Sequence, residues 1–386
     1  MNISCSRDKI LQAFQMANNV IPARSAMPIL QNIKITADDK IASIIATDME
    51  VGIQTHFKAD IKEKGNVLIP AIRLGAILRE TPEDKIELKS DGAIAKIITR
   101  HSDYKIMAPE VGDYPDFPAF NHKKAFEINS RGFREMVRKT SFAVSIETSR
   151  YALTGLLLEI RKKEIRMVAS DGKRLGFVKR HSEQTISEDI KIIVPPKIMT
   201  LLDRILGGQF GEGEKPEGKE VKKAEDPTIK LDIDENQLKI SIPQQDMPDT
   251  ILFCRLIDGA FPDYETIIPS DNDKKLEFSS LELASAFRQA ALVTTDKLRA
   301  TKMEFKENKL VLKSRTQDVG EATITMDIKY AGAPFAITFN PDYFIDVLRV
   351  LGDVEVTLEL KDKTSPGVIK YGKDFLYLVM PMTIEI

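Results

Sequence analysis

The chain has 386 residues, more than one ordinary core accommodates, and its length points to two or three domains. With 42% hydrophobic and 30% charged residues it reads as globular, which excludes wholesale disorder, and 56 basic against 58 acidic residues leave a formal charge of −2 with no global basic field. No apolar run approaches the roughly 18–20 residues of a membrane span and the start lacks a signal peptide's apolar stretch, while Cys5 and Cys254, far apart, and four scattered histidines fit a reduced, cytoplasmic protein without a structural zinc site.

In chain order, Ser6 stands before an amphipathic helix over 7–19, and a Ser at that place offers its hydroxyl to the free amides of a first turn. Alternating strands follow at Ile33 and Ile35 and from Ile41 to Ala46, joined by the turn Asp38-Asp39 and closed by Thr47-Asp48. Pro70 then opens a second helix over 71–80, and the third of the chain ends near Tyr114-Pro115-Asp116-Phe117. The order repeats: Ser130, a helix over 131–140, strands at Leu156–Ile160 and Ile165–Ala169 around Lys162-Lys163, then Ser170-Asp171, Pro195, a helix over 197–206 and Phe261-Pro262-Asp263-Tyr264. It repeats once more: Ser280, a helix over 281–290, strands at Met303–Phe305 and Leu310–Ser314 around Glu307-Asn308, then Arg315-Thr316, Asn340, a helix over 341–350 and Met380-Pro381-Met382.

The offsets agree. Pro70 and Pro195 lie 125 apart, Asp48 and Asp171 lie 123 apart, and the next interval is 145 in both series, from Pro195 to Asn340 and from Asp171 to Thr316. A Gly/Glu/Lys-rich stretch at 209–227 supplies the surplus and reads as a solvated insertion. The expectation is α+β in triplicate, two helices packed on antiparallel sheets in each unit, with domains at 1–122, 123–271 and 272–386.

Motifs for catalysis fail one by one. Gly213 to Glu220 spaces its residues like a phosphate-binding loop but places Glu220 where the metal-binding hydroxyl belongs. Asp232, Asp234 and Asn236 mimic the start of a calcium loop, yet Gln237 occupies the glycine position, so a strand-turn-strand is expected. Asp48 and Asp171 occupy equivalent slots in two repeats, where capping of a turn is the plainer job than acid–base work. His56, His101, His122 and His181 share no metal-ligand spacing. No catalytic residue, metal or cofactor is expected.

The charge is unevenly placed. The six helices sum to +5, of which 131–140 alone carries +3, so everything else sums to −7. A solvated helix face explains one such helix; three units with two helices each make a shared cationic face that suits a polyanion contacted through its phosphates, without base readout.

The chain resembles the bacterial DNA polymerase III beta subunit family, the sliding clamps. The resemblance runs end to end and is carried by Met27-Pro-Ile-Leu-Gln-Asn32, Ala46-Thr-Asp-Met-Glu50, Ala169-Ser-Asp-Gly-Lys-Arg-Leu175, Phe261-Pro-Asp-Tyr264 and Val379-Met-Pro-Met382. It implies a head-to-tail homodimer, a six-domain ring around double-stranded DNA that tethers the replicative polymerase for processive synthesis. It implies as partners the polymerase III alpha subunit, the clamp loader, translesion polymerases, mismatch-repair proteins and ligase, with no cofactor and no membrane. The DNA-facing residues it implies are Arg24, Arg73, Arg150, Tyr151 and Lys197, to which the helix charges add Arg134 and Arg138. A partner-peptide pocket would be formed by Leu153, Ser170, Gly172, Lys173, Arg174, Leu175, Pro262, Ile267, Asn340, Tyr343, Pro366, Leu378, Val379, Met380, Pro381 and Met382. The dimer seam would join Tyr104 and Ile106 to Leu292 and Val293, with Lys105 and Arg100 facing Asp318 or Glu321. The chain departs from the pattern at Ile72, Ala152, Thr266 and Thr383 and in the terminal Glu385-Ile386. Two other readings compete: a peptide-binding adaptor without a nucleic-acid role, and a carboxylate-dependent enzyme built on Asp48 or Asp171.

Overall fold

The computed structural model describes residues 1–384 apart from 40, 118–119, 121–123, 183, 185–187 and 210–226. The phosphate-loop mimic at 213–220, almost all of the polar insertion, His122 and Glu385-Ile386 therefore lie outside the described residues. No helix among the described residues is long and apolar enough to cross a membrane.

Six helices appear where the periodicity places them: α1 (Arg7–Asn18), α2 (Ala71–Glu80), α3 (Ser130–Thr140), α4 (Pro196–Gln209), α5 (Ser280–Ala291) and α6 (Pro341–Leu351). Each buries one stripe at three-to-four spacing, Ile10, Ala13, Phe14 and Ala17 in α1 and Phe344, Val347, Leu348 and Leu351 in α6. Such burial contributes about 1.5–3 kcal/mol for each large apolar side chain. Gly75 lets α2 approach α1, since a Cβ there would meet the Phe14 ring at 2.5 Å. The Phe287 and Phe344 rings stack at 4.3 Å and lock α5 to α6.

The starts of α1, α2 and α6 fall where expected, and those of α3, α4 and α5 come one residue earlier. Ser6 flanks α1 but its hydroxyl makes no capping bond. Ser130 and Ser280 lie inside their helices; the caps are Asn129, whose Oδ1 accepts from the Gly132 N–H at 2.8 Å, and Ser279, whose Oγ accepts from the Glu282 N–H at 3.5 Å. Ser280 has another task. Its buried hydroxyl donates to the Gly352 carbonyl and accepts from the Val354 N–H at 3.0 Å, pinning α5 to the end of α6.

The chain divides into two compact units, one of Met1–Arg134 with Lys197–Leu256, the other of Glu135–Pro196 with Ile257–Ile386. The first holds a twelve-stranded antiparallel sheet, and in it strand Val51–Glu63 of the first repeat pairs with Met247–Arg255 of the second. The second unit holds an eight-stranded and a four-stranded sheet, and Arg174–His181 pairs there with Phe375–Val379 of the third repeat. The expected turns close hairpins, with Arg161 opposite Glu164 and Lys306 opposite Lys309. Asp232 and Gln237 likewise lie in neighbouring strands, Thr228–Ile233 and Gln237–Gln244, joined by a short turn.

Candidate functional site

The two aspartates at equivalent slots cap turns. Asp48 Oδ1 accepts from the N–H groups of Glu50 and Val51 at 3.0 and 2.7 Å, and Asp171 Oδ1 accepts from those of Lys173 and Arg174 at 2.9 and 3.0 Å. Each spends its second oxygen on a cation, Asp48 on Lys197 and Asp171 on Arg174 Nε at 3.0 Å.

The cations expected to face DNA fall into two groups. Arg24, Arg73, Arg138 and Arg150 are exposed, and Tyr151 beside Arg150 is 59% exposed. Arg134 instead reaches from α3 to Asp203 of α4 at 2.7 Å, and Lys197 at the start of α4 pairs with Asp48 while also donating to the Val20 carbonyl at 3.3 Å. Sequence reasoning missed both acidic partners, because nothing in a one-dimensional pattern marks a contact between residues 149 apart.

The expected pocket residues converge within the second unit. Leu175 and Leu378 join a buried cluster with Leu157, Val168, Ile193 and Tyr264, against which Ala152, Ile257, Phe261 and Ile268 pack. Val379 sits between Arg174 and Gly367, its strand neighbours on either side, which brings Pro366 alongside. Beyond that strand the Met380 N–H donates to the Lys173 carbonyl and the Met382 N–H to the Thr338 carbonyl, both at 2.8 Å, which seats Met380-Pro381-Met382 beside the Ser170–Leu175 turn. Asn340 caps α6 through the Asp342 N–H at 2.9 Å and sets Tyr343 on its first turn. Buried Leu153 accepts from the Ser145 N–H through its carbonyl at 2.9 Å, and Met380 and Ile267 stay 41% and 50% exposed at the opening. Pro262 is exposed in the segment before Tyr264.

Two charge networks hold this groove, and neither was foreseen. Arg174 bonds Asp346 at 2.7 Å and the Phe142 carbonyl at 2.9 Å, and its guanidinium lies 4.6 Å from the Tyr343 ring centre. Burial opposes the charge on Arg174, yet its partners hold its pKa above the ordinary value. Buried Glu159 accepts from the Tyr264 hydroxyl at 2.8 Å and pairs with Lys191 and Arg161, while Arg161 and Arg166 together grip Glu265 at 2.7 and 2.5 Å. Burial raises the Glu159 pKa, and Lys191 and Tyr264 outweigh it, leaving the carboxyl below its usual range. Glu265 opens the short helix that carries Ile267, so these arginines position the rim. These buried polar groups are spent on one another, while Met380 and Ile267 stay exposed beside Lys173 and Thr266. Tyr104 and Ile106, in turn, lie on Asp103–Met107, an edge strand of the twelve-stranded sheet, whereas Leu292 and Val293 follow α5, with Leu292 79% exposed.

Exposed arginines in each unit, and in the second a methionine-bearing segment seated beside the closing strand, suit a docking scaffold. Family models for the N-terminal, central and C-terminal domains of the DNA polymerase III beta subunit match residues 1–118, 127–212 and 265–383. The beta sliding clamp of Chlamydia pneumoniae is 30% identical and that of Escherichia coli K12 27% identical, each aligned over 100% of both chains. Among solved structures, the DNA polymerase III subunit beta of Pseudomonas aeruginosa superposes with a TM-score of 0.88 and a sliding clamp of Bartonella birtlesii with 0.90, each at 25% identity and covering 100% of both chains. The chain belongs to the beta sliding clamp family, the beta subunits of DNA polymerase III. It serves DNA replication as a non-catalytic processivity factor, which sets aside both the enzyme built on Asp48 or Asp171 and the adaptor without a nucleic-acid role.

Proposed function

We propose that two copies join head to tail into a closed ring of six domains around double-stranded DNA, each copy contributing domains at 1–122, 123–271 and 272–386. Closure after two copies is a geometric demand, since a heterologous contact that fails to close grows a filament. Topological trapping lets the ring grip weakly and slide, while the tethered polymerase keeps a high local concentration at the primer end. Arg24, Arg73, Arg134, Arg138, Arg150, Tyr151 and Lys197 are the residues that meet the phosphates. The seam joins the Tyr104 and Ile106 edge to Leu292 and Val293.

The groove at Met380–Met382 takes short peptides of the polymerase III alpha subunit, the clamp loader and other clamp-binding proteins in turn, since flexible methionines adapt to different apolar side chains. The observation that carries the whole reading is the segregation of charge, +5 on the helices against −7 elsewhere. The test pairs two variants. Ile106→Lys should lower the sedimented mass from two chains to one, and Met380→Asp with Met382→Asp should abolish stimulation of primer extension at an unchanged mass of two chains. A wild-type chain that sediments as one copy, or a double aspartate variant that stimulates normally, contradicts the reading.

A further inference from the structure

The groove described above has a counterpart elsewhere in the chain. Around Ser170, the hydroxyl donates to the Arg174 carbonyl at 2.8 Å and accepts from the Gly172 N–H at 3.1 Å. Around Thr47, the hydroxyl donates to the Val51 carbonyl at 3.1 Å and accepts from the Met49 N–H at 3.0 Å. Asp48 and Asp171 cap these turns alike, and Met49 and Gly172 share a left-handed backbone, with φ of 78° and 83°. The strand contacts match too. Cys254 lies opposite Val51 as Val379 lies opposite Arg174, and the Arg255 N–H donates to the Glu50 carbonyl at 3.0 Å as the Met380 N–H donates to Lys173. Tyr114-Pro115-Asp116-Phe117 stands where Phe261-Pro262-Asp263-Tyr264 stands in the other groove.

This arrangement, all within the first unit, encloses a cavity of about 210 Å³ lined by Thr47, Met49, Pro115, Asp116, Gln237, Phe253 and Arg255. Phe253 is buried at the position of Leu378, and its ring meets Phe117 edge-on at 4.5 Å. Met49 replaces Gly172 and narrows the space, while Arg255 replaces Met380 and brings a cation to the opening. Arg255 is exposed and makes no ion pair among the described residues. The Asp116 carboxylate is 99% exposed and sits 4.0 Å from Lys34.

We propose that this second groove docks short peptides that present one apolar side chain beside a carboxylate: the side chain enters against Phe253 and Met49, and the carboxylate meets Arg255. Its volume fits one anchoring side chain and excludes the longer apolar run that the first groove admits. The inference rests on reading the Met380 groove as a peptide site, and the experiment separates the two. Full-length chain labelled with ¹³C at the methionine methyls is titrated with the blocked peptide Ala-Asp-Leu-Ala and with its Asn counterpart, Met49 and Met380 being assigned through Met49→Leu and Met380→Leu. The Met49 methyl should shift saturably with the Asp peptide, and both the Asn peptide and the Arg255→Ser chain should bind about tenfold more weakly, the effect of one charge-assisted hydrogen bond. A Met49 methyl unmoved at millimolar peptide, or moved equally in Arg255→Ser, overturns the proposal. Movement at Met380 with silence at Met49 does the same and leaves the first groove standing. Movement at Met49 with silence at Met380 supports the second groove while removing the first as its parent.

Discussion

Asp48→Asn separates two roles of one side chain. The amide keeps an Oδ1 that accepts from Glu50 and Val51, so the turn survives, but it loses the charge that holds Lys197. Lys197 is 42% exposed, so the pair is screened and its loss costs stability no more than about 1 kcal/mol. The consequence for DNA is larger. A lysine released to a phosphate adds about 0.9 to the slope of log affinity against log salt, which is about 3.5-fold of additional weakening between 50 and 200 mM salt. Anisotropy of a labelled duplex across a salt series reads this directly: Asp48→Asn should bind more tightly at low salt, with the steeper slope. An unchanged slope, alongside a wild-type slope that Lys197→Ala also leaves unchanged, would refute the placement of Lys197 against the phosphates.

Asn340→Ala removes the cap of α6 and should lower stability by about 0.5–2 kcal/mol in calorimetry, with Asn340→Asp restoring most of it. Arg174→Met leaves Asp171 without its cation and Asp346 with Arg349 alone, and should cost about 1–3 kcal/mol in urea unfolding. His56 is held below its ordinary pKa of 6.5 by burial, against the opposing effects of the backbone at Asp249 and Pro248 and of the Asp249 carboxylate. The unfolded chain therefore takes up that proton first, so this contribution is complete above pH 6.5 and is lost as pH falls through the folded value; His56→Gln should flatten the urea midpoint over that window.

Much of the fold was legible because it rests on local chemistry. The stripes of α1 to α6, the two-residue hairpin turns and the capping roles of Asp48 and Asp171 depend on neighbours within a few residues. The serine that recurs at each first helix stands at the expected position in α1 but misled by one position in α3 and α5, where the cap fell to the residue before it and Ser280 instead makes a buried contact with Gly352 and Val354. The groove entered through the family resemblance, since Met380-Pro381-Met382 reads equally as a buried closing strand. Its supports, Arg174 with Asp346 and Arg166 with Glu265, join residues 172 and 99 apart, and charge pattern alone selects no such partners. Tyr114-Pro115-Asp116-Phe117 was legible as the segment that closes the first repeat, but only the shared hydrogen bonds reveal that Arg255 takes the place of Met380.

Encirclement is tested most directly on a nicked circular plasmid onto which the clamp loader has placed the chain. The complex should stay with the circle through gel filtration at a salt concentration that abolishes binding to short duplex, and a single restriction cut should release it. Retention undiminished after the circle is cut, or no retention on the intact circle, would contradict a ring that holds DNA by closure.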